Sequence, residues 1–200
     1  MATPSIRAMT MGQDSPVSRF GTVELVDLPE DLQARLRPVV ERSGFLPNIF
    51  RALGRRPAEL RAFLDYHDAL MTSDDGLSKA ERELVVVATS GLNDCPYCVV
   101  AHGAILRIRS KEPHLADLVA TNPRGCELAP RQRAIVDLAL TLAGDPASFG
   151  ETDLRAAHDA GLTDDEIWDV GSITALFAAS NRLAHLFALK PNAEFFTMGR

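Results

Sequence analysis

The sequence predicts an all-α protein, and three observations carry this prediction. From residue 30 onward, apolar side chains recur at the three- and four-residue spacing of a helix that faces a core. Two capping boxes, Ser78 with Glu81 and Thr163 with Glu166, mark helix starts. The alternating polar and apolar pattern of a half-buried strand does not appear after residue 30.

Residues 1–29 are predicted to form an N-terminal arm, because Pro and Gly interrupt them and they show no helical period; residues 23–26 are expected to be extended. Residues 30–200 are predicted to form a single all-helical domain. Its helices are predicted at 30–40 (with a kink or a break at Pro38), 57–71, 78–90, 95–109, 113–120, 130–143, 151–160 and 163–189, and a short segment at 49–54 separates the first two.

The run Leu84 to Ala88 is open to two interpretations. Its three consecutive valines are typical of a buried strand. The capping box at Ser78 and Glu81, together with the Ala-, Glu- and Arg-rich flanks, favours a helix, and we expect one here.

Composition excludes several classes of function. The 200 residues include 21 Lys and Arg against 27 Asp and Glu, which gives a net charge of -6, so binding to nucleic acid or to an anionic membrane is not expected. The apolar runs fall far short of the roughly 20 residues that a membrane span needs. The first 20 residues lack the apolar segment of a secretory signal, and three cysteines do not make a disulfide framework, so we expect a cytoplasmic protein.

The candidate site is the pattern formed by Glu83, Cys95, Cys98 and His102. An α-helix turns about 100° per residue, so both thiols and the imidazole fall within an arc of about 60° on one helix face. The cysteines lie in the expected first turn, where Asn93 or Asp94 would act as the N-cap. Unpaired N–H groups at such a helix start stabilise a thiolate, and the histidine one turn on could take up or relay its proton.

Glu83 is assigned to this site because it is expected to lie at the same height along the helix pair as His102. If the helix that ends near Ser90 packs antiparallel to the helix that begins at Cys95, then Glu83 and His102 lie at about the same distance, roughly 10 Å, from the turn. Glu83 would then accept a hydrogen bond from one nitrogen of His102 and orient the ring, leaving the other nitrogen toward the thiols.

The spacing Glu-x11-Cys-x-x-Cys-x3-His resembles the signature of the alkylhydroperoxidase D and carboxymuconolactone decarboxylase superfamily. Residues 46–53 (LPNIFRAL) and 181–184 (NRLA) are similar to its peroxidase-related subgroup, and the resemblance covers roughly residues 30–190. The resemblance implies an alkylhydroperoxidase D-like helical bundle with antiparallel helix pairs. It also implies a homo-oligomer, either a trimer or a hexamer made of two trimers.

The resemblance further implies a thiol peroxidase. Cys98 would be the peroxidatic thiolate that a hydroperoxide oxidises to a sulfenic acid, and Cys95 would resolve it as a Cys95–Cys98 disulfide. His102 and Glu83 would relay protons, and an external dithiol of the lipoyl or thioredoxin type would reopen the disulfide. No cofactor and no metal are predicted. Tyr97 stands where the alkylhydroperoxidase D pattern has a histidine, and a phenol is a poor base near neutral pH.

Three other interpretations stay open at this point. Glu83, Cys95, Cys98 and His102 are also ligand types that zinc accepts, which would make the protein a zinc-stabilised scaffold. A redox sensor would use the same thiols without turnover. A cofactor-free decarboxylase of the muconolactone type would not need the cysteine pair. Of the remaining residues, Cys126 is interpreted as an unpaired bystander, Asn181 and Arg182 as residues that hold a helix end or a subunit contact, and Trp168 as a side chain that packs the last helix.

Overall fold

Nine α-helices and three short 3-10 turns make up the regular structure of residues 16–200, the part of the chain that this computed structural model describes. The α-helices are α1 (Glu30–Ser43), α2 (Asn48–Leu53), α3 (Pro57–Met71), α4 (Lys79–Leu92), α5 (Pro96–Ser110), α6 (Leu115–Thr121), α7 (Pro130–Gly144), α8 (Glu151–Asp159) and α9 (Asp164–Phe187). The 3-10 turns are Leu25–Asp27, Pro146–Ser148 and Ala193–Phe196. Strands are absent from residues 16–200, so the all-α prediction is confirmed.

Helix α4 is the centre of the bundle. All its residues from Arg82 to Ser90 are buried, and the helix packs against α5, α6, α7 and α9. A helix enclosed on all sides is apolar all round, which explains why the valine run resembles a strand. The capping box is formed as predicted: the Ser78 hydroxyl accepts from the Glu81 N–H and the Glu81 carboxylate accepts from the Ser78 N–H.

Several predicted boundaries differ from the structure. The alternative of a break at Pro38 is wrong, because α1 continues through it; the carbonyl of Ala34, which loses its helical donor there, belongs to an exposed residue that water can reach. The segment predicted at 49–54 is the helix α2. The last helix stops at Phe187, because Ala188 adopts a left-handed conformation with φ 49°.

The described part of the predicted arm packs on the helices. Its first 15 residues lie outside the described part of the chain. The expected extended stretch at 23–26 runs into the 3-10 turn Leu25–Asp27. Backbone hydrogen bonds join Arg19 to Phe187 (2.7 Å) and Val23 to Arg51 (3.0 Å), so this stretch contacts both α2 and the end of α9. The boundary at residue 29 stays a prediction.

Among residues 16–200, no helix combines the length and the apolar character that crossing a bilayer requires. Helix α9 is the longest of them at 24 residues. Trp168, near its start, is 75% exposed, so the interpretation that this side chain packs the helix is wrong.

Arg82 ties the loop before α4 to the bundle. Its side chain is 1% exposed, and its guanidinium donates to the carbonyls of Leu77 (2.9 Å) and Leu70 (2.6 Å). The same group also donates to the carbonyl of Asp75 and pairs with the carboxylate of Asp169 at 2.9 Å. The planar guanidinium thus satisfies four acceptors at once, and a lysine ammonium could not reach all four.

We therefore expect Arg82→Lys to lower the free energy of unfolding by about 1–3 kcal/mol, because the shorter donor set leaves buried carbonyls unpaired. Urea unfolding followed by circular dichroism measures this change. Arg37→Lys, at an exposed position of α1, is the matched control and is expected to stay within about 0.5 kcal/mol of the wild type. Equal effects of the two substitutions would contradict the role given to Arg82.

Candidate active site

The turn between α4 and α5 places Cys95 at a helix start. Asp94 adopts a left-handed conformation with φ 49°, and its N–H donates to the Gly91 carbonyl at 3.1 Å. The N–H of Cys95 donates to the Ser90 carbonyl at 2.9 Å, which completes a Schellman motif at the end of α4. Cys95 itself is the N-cap of α5, so the prediction that Asn93 or Asp94 would cap this helix is wrong.

Cys95 and Cys98 form a buried and mutually coupled thiol pair. They are 1% and 2% exposed. Hydrogen bonding from the Cys98 side chain, and then from its backbone N–H, lowers the pKa of Cys95 to about 6 against the opposing effect of burial. The same contact with Cys95, reinforced by burial, raises the pKa of Cys98 well above its ordinary value. The resting pair therefore keeps its shared proton on Cys98 and its negative charge on Cys95.

The resemblance assigns the attacking thiolate to Cys98, and that assignment stays a prediction. The negative charge is favoured on Cys95 because the side chain and the backbone N–H of Cys98 both lower the pKa of its thiol at the start of α5. Cys98 lies inside the first turn, deeper among apolar neighbours, and has no equivalent set of backbone donors in front of it.

An amide and hydroxyl network surrounds the two sulfurs. Asn181, 0% exposed in the middle of α9, donates to the Ser90 hydroxyl at 3.0 Å and accepts from the Asn93 side chain at 3.1 Å. Its amide also lowers the pKa of both thiols by hydrogen bonding, as does Ser180 for Cys98. The interpretation that Asn181 holds a helix end is thus confirmed, because Asn93 is the C-cap of α4.

Glu83 and His102 form a carboxylate–imidazole pair, as their equal distance from the α4–α5 turn predicted. The Nδ1 atom of His102 lies 2.7 Å from Oε2 of Glu83, which is 2% exposed. The imidazole also meets the edge of the Phe177 ring, with the ring centroids 4.7 Å apart. A carboxylate that accepts from Nδ1 fixes the ring orientation and leaves Nε2 for other partners. His102 lies one helical turn beyond Cys98 on α5, and Glu83 faces it from α4.

Arg109 completes this pair and was missed from the sequence. Its guanidinium lies 3.2 Å from the second carboxylate oxygen of Glu83 and also donates to the carbonyl of Lys79. The buried carboxylate is therefore matched by a cation on one oxygen and an imidazole on the other. The signal was present, because Arg109 follows His102 by seven residues, which is two turns along the same helix face.

Tyr97 makes a hydrogen bond that joins two helices and does not act as an acid or a base. It is 3% exposed, and its hydroxyl oxygen accepts from the N–H of Ile49 at 3.0 Å, near the start of α2. Burial raises the pKa of Tyr97 above its usual range. The phenol at this position holds α2 against α5 and stays protonated near neutral pH.

The remaining sequence candidates lie apart from this site. Cys126 is half-buried, with its sulfur 3.4 Å from the Pro123 carbonyl. Across residues 16–200, no three His, Cys, Asp or Glu side chains converge in an arrangement that would hold a metal ion. The arrangement is a thiol pair followed by a carboxylate–imidazole pair, not the four-ligand zinc site that the sequence left open.

Comparisons with known proteins agree with this architecture. Residues 57–119 match the model of the carboxymuconolactone decarboxylase family. A peroxidase-related protein of Ralstonia eutropha JMP134, whose crystal structure is described as an alkylhydroperoxidase AhpD core, is 50% identical; the match covers 93% of this chain and 98% of that one, with a TM-score of 0.90. The chain belongs to the same alkylhydroperoxidase AhpD-like, peroxidase-related family.

A second relative is also a peroxidase-related protein. The alkylhydroperoxidase D-like resemblance seen in the sequence is thus confirmed. A peroxidase-related protein of Silicibacter sp. TM1040 is 33% identical, covers 96% of this chain and 100% of its own, and has a TM-score of 0.86. The debrominase Bmp8, at 16% identity and a TM-score of 0.75 over 95% of this chain and 98% of its own, shares the fold. The comparison with curated proteins found no match.

Proposed function

We propose that this protein is a thiol peroxidase that reduces hydroperoxides with the Cys95–Cys98 pair and is then reduced by an external dithiol. The observation that carries the proposal is the buried thiol pair at the start of α5, in which the contact with Cys98 lowers the pKa of Cys95 to about 6. The peroxidase-related description of its 50% identical relative supports the same class of reaction.

The first step is the oxidation of Cys98. Cys95 in its thiolate form takes the proton of Cys98, and the resulting Cys98 thiolate attacks the terminal oxygen of the hydroperoxide ROOH. The O–O bond breaks, Cys98 becomes a sulfenic acid, and the alkoxide leaves as ROH after gaining a proton. A sulfur of high pKa is also the stronger intrinsic nucleophile, which favours attack by Cys98 once it is deprotonated.

The second step closes the disulfide. The Cys95 sulfur, returned to its thiolate form, attacks the Cys98 sulfenic acid; an S–S bond forms and hydroxide leaves as water. A dithiol then attacks the disulfide, forms a mixed disulfide and resolves it with its own second thiol. The two electrons that reduced the peroxide thus come from the dithiol, and both cysteines return to their starting state.

The carboxylate–imidazole pair supplies the protons in this scheme. His102 lies one turn beyond Cys98, and Glu83 holds its ring through Nδ1 at 2.7 Å. Nε2, once protonated from solvent, can therefore deliver a proton to the departing alkoxide; during disulfide closure the Cys95 thiol proton leaves with the hydroxide as water, and solvent restores the proton on Nε2. Arg109 keeps the charge of Glu83 balanced without contacting the sulfurs in this scheme.

A homo-oligomer and a cytoplasmic setting belong to the same proposal. Trp168 (75% exposed) and Leu186 (52% exposed) lie on the outer face of α9, where Ala175 and Ala179 are also exposed. Large apolar side chains on one long helix suit contact with further copies of the chain. A reducing compartment keeps the thiols and their dithiol donor of the lipoyl or thioredoxin type in the reduced state that turnover requires.

A coupled assay tests the proposal. Purified protein is supplied with cumene hydroperoxide and reduced lipoamide, and the loss of peroxide is followed against time. We expect catalytic consumption, with more than one peroxide removed per protein chain. Stoichiometric oxidation without further turnover would point to a redox sensor. Lactone decarboxylation that survives replacement of both Cys95 and Cys98 by serine would point to the muconolactone type of enzyme.

A further inference from the structure

A second histidine contacts the turn that presents Cys95. His185 follows Asn181 by one turn on α9, and its Nε2 atom lies 2.9 Å from the backbone carbonyl oxygen of Asn93. A carbonyl oxygen only accepts hydrogen bonds, so Nε2 must carry the hydrogen. The neutral ring therefore has its lone pair on Nδ1, and a proton added there makes the ring cationic without breaking the contact.

Asn93, whose carbonyl contacts His185, belongs to the turn that leads directly into Cys95. Asn93 is the C-cap of α4, followed directly by the left-handed Asp94 and by Cys95. The Asn93 side chain also donates to Asn181 at 3.1 Å, so α9 holds this turn at two points. Hydrogen bonding to Cys98 is the main cause that lowers the pKa of Cys95, and the charge of His185 lowers it further.

We propose that His185 is a positioning residue for Cys95, whose protonated ring stabilises the Cys95 thiolate from the solvent side of the α4–α5 turn. This inference rests on the proposed function, because it assigns His185 to the resting state of the same thiol pair. It is separate from the Glu83 and His102 pair, which lies further along α5. Neither the sequence motif nor its spacing includes His185.

The charges around the ring are consistent with this role. Cys95 is the titratable group on which the charge of His185 acts, and Cys98 is its hydrogen-bond partner. Asp94 is exposed in the same turn, and Arg182 on α9 is directed to the Ala178 carbonyl at 2.6 Å. His185 is itself exposed, so salt screens its field.

The test uses His185→Gln, because the glutamine amide keeps a donor for the Asn93 carbonyl while removing the charge. Reduced protein is alkylated with iodoacetamide between pH 5 and pH 9, and tandem mass spectrometry reports the rate at Cys95. We expect the wild-type midpoint at about 6. We expect the variant midpoint to be higher by about 0.5–1 pH unit, which lowers the Cys95 rate at pH 6 about 2–5-fold.

Two further measurements separate charge from structure. His158→Gln, at a half-exposed histidine of α8, is the matched control and should leave the midpoint unchanged. Raising the salt to about 1 M should move the wild-type midpoint toward that of His185→Gln and leave the variant where it is. Coincident profiles for wild type and His185→Gln would overturn the inference. Because the assay uses no peroxide, a failure of peroxide turnover would overturn the proposed function and leave this result standing.

Discussion

Replacing Cys98 by serine is expected to abolish peroxide turnover, with a loss of at least about 10³-fold in kcat/KM. The serine hydroxyl does not form a sulfenic acid, so the O–O bond has no sulfur to accept its oxygen. Cys95 should still be alkylated near neutral pH in this variant, since its N-cap position and its backbone donor remain. The measurement is peroxide loss with reduced lipoamide, alongside iodoacetamide labelling.

Cys95→Ser is expected to fail differently. Without the Cys95 thiolate, the proton of Cys98 has no sulfur acceptor, so oxidation slows, and the Cys98 sulfenic acid that does form persists because no resolving thiol is present. A dimedone adduct at Cys98 would report it. Cys126→Ser is the matched control and should keep full activity, because its half-buried sulfur contacts only the loop carbonyl of Pro123. Full turnover in Cys98→Ser would contradict the assignment.

Glu83→Gln is expected to lower kcat by about 10²–10³-fold, because the proton relay through His102 loses its carboxylate. The amide can still accept from Nδ1 of His102, but its NH₂ group then faces Arg109, which loses its buried counter-charge. We therefore also expect the free energy of unfolding to fall by about 1–3 kcal/mol, a cost moderated by the partial exposure of Arg109. Steady-state kinetics and urea unfolding measure the two effects.

A double-mutant cycle separates catalysis from stability at this pair. If Glu83 acts through His102, Glu83→Gln combined with His102→Asn should cost no more in kcat than the worse single variant. Additive losses would contradict a shared relay. Glu41→Gln, at an exposed position of α1, is the control and should change neither kcat nor stability.

The sequence predicted the parts of the site that depend on helix geometry alone. The capping box at Ser78 sets where α4 begins, and the rise of 1.5 Å per residue then places Glu83 level with His102 across the α4–α5 turn. The valine run was correctly assigned to a helix because the capping box outweighed β-propensity. These features are local in sequence or follow from one antiparallel helix pair.

The parts that the sequence did not predict depend on distant segments or on the details of a turn. Asn181 hydrogen-bonds the thiols and His185 contacts the Asn93 carbonyl from α9, about 90 residues further along the chain, and no spacing rule connects them to Cys95. The left-handed conformation of Asp94 ends the α4 turn and makes Cys95, rather than Asn93 or Asp94, the N-cap of α5. A one-residue shift in a cap is beyond the precision of sequence patterns.

The most direct test of the thiol-pair mechanism is the mass of the protein after brief exposure to one equivalent of cumene hydroperoxide without a reductant. We expect a loss of about 2 Da, located in the peptide that holds both Cys95 and Cys98, and we expect reduced lipoamide to reverse it. Oxidation confined to Cys126, or thiols at Cys95 and Cys98 that stay reduced while peroxide is consumed, would contradict it.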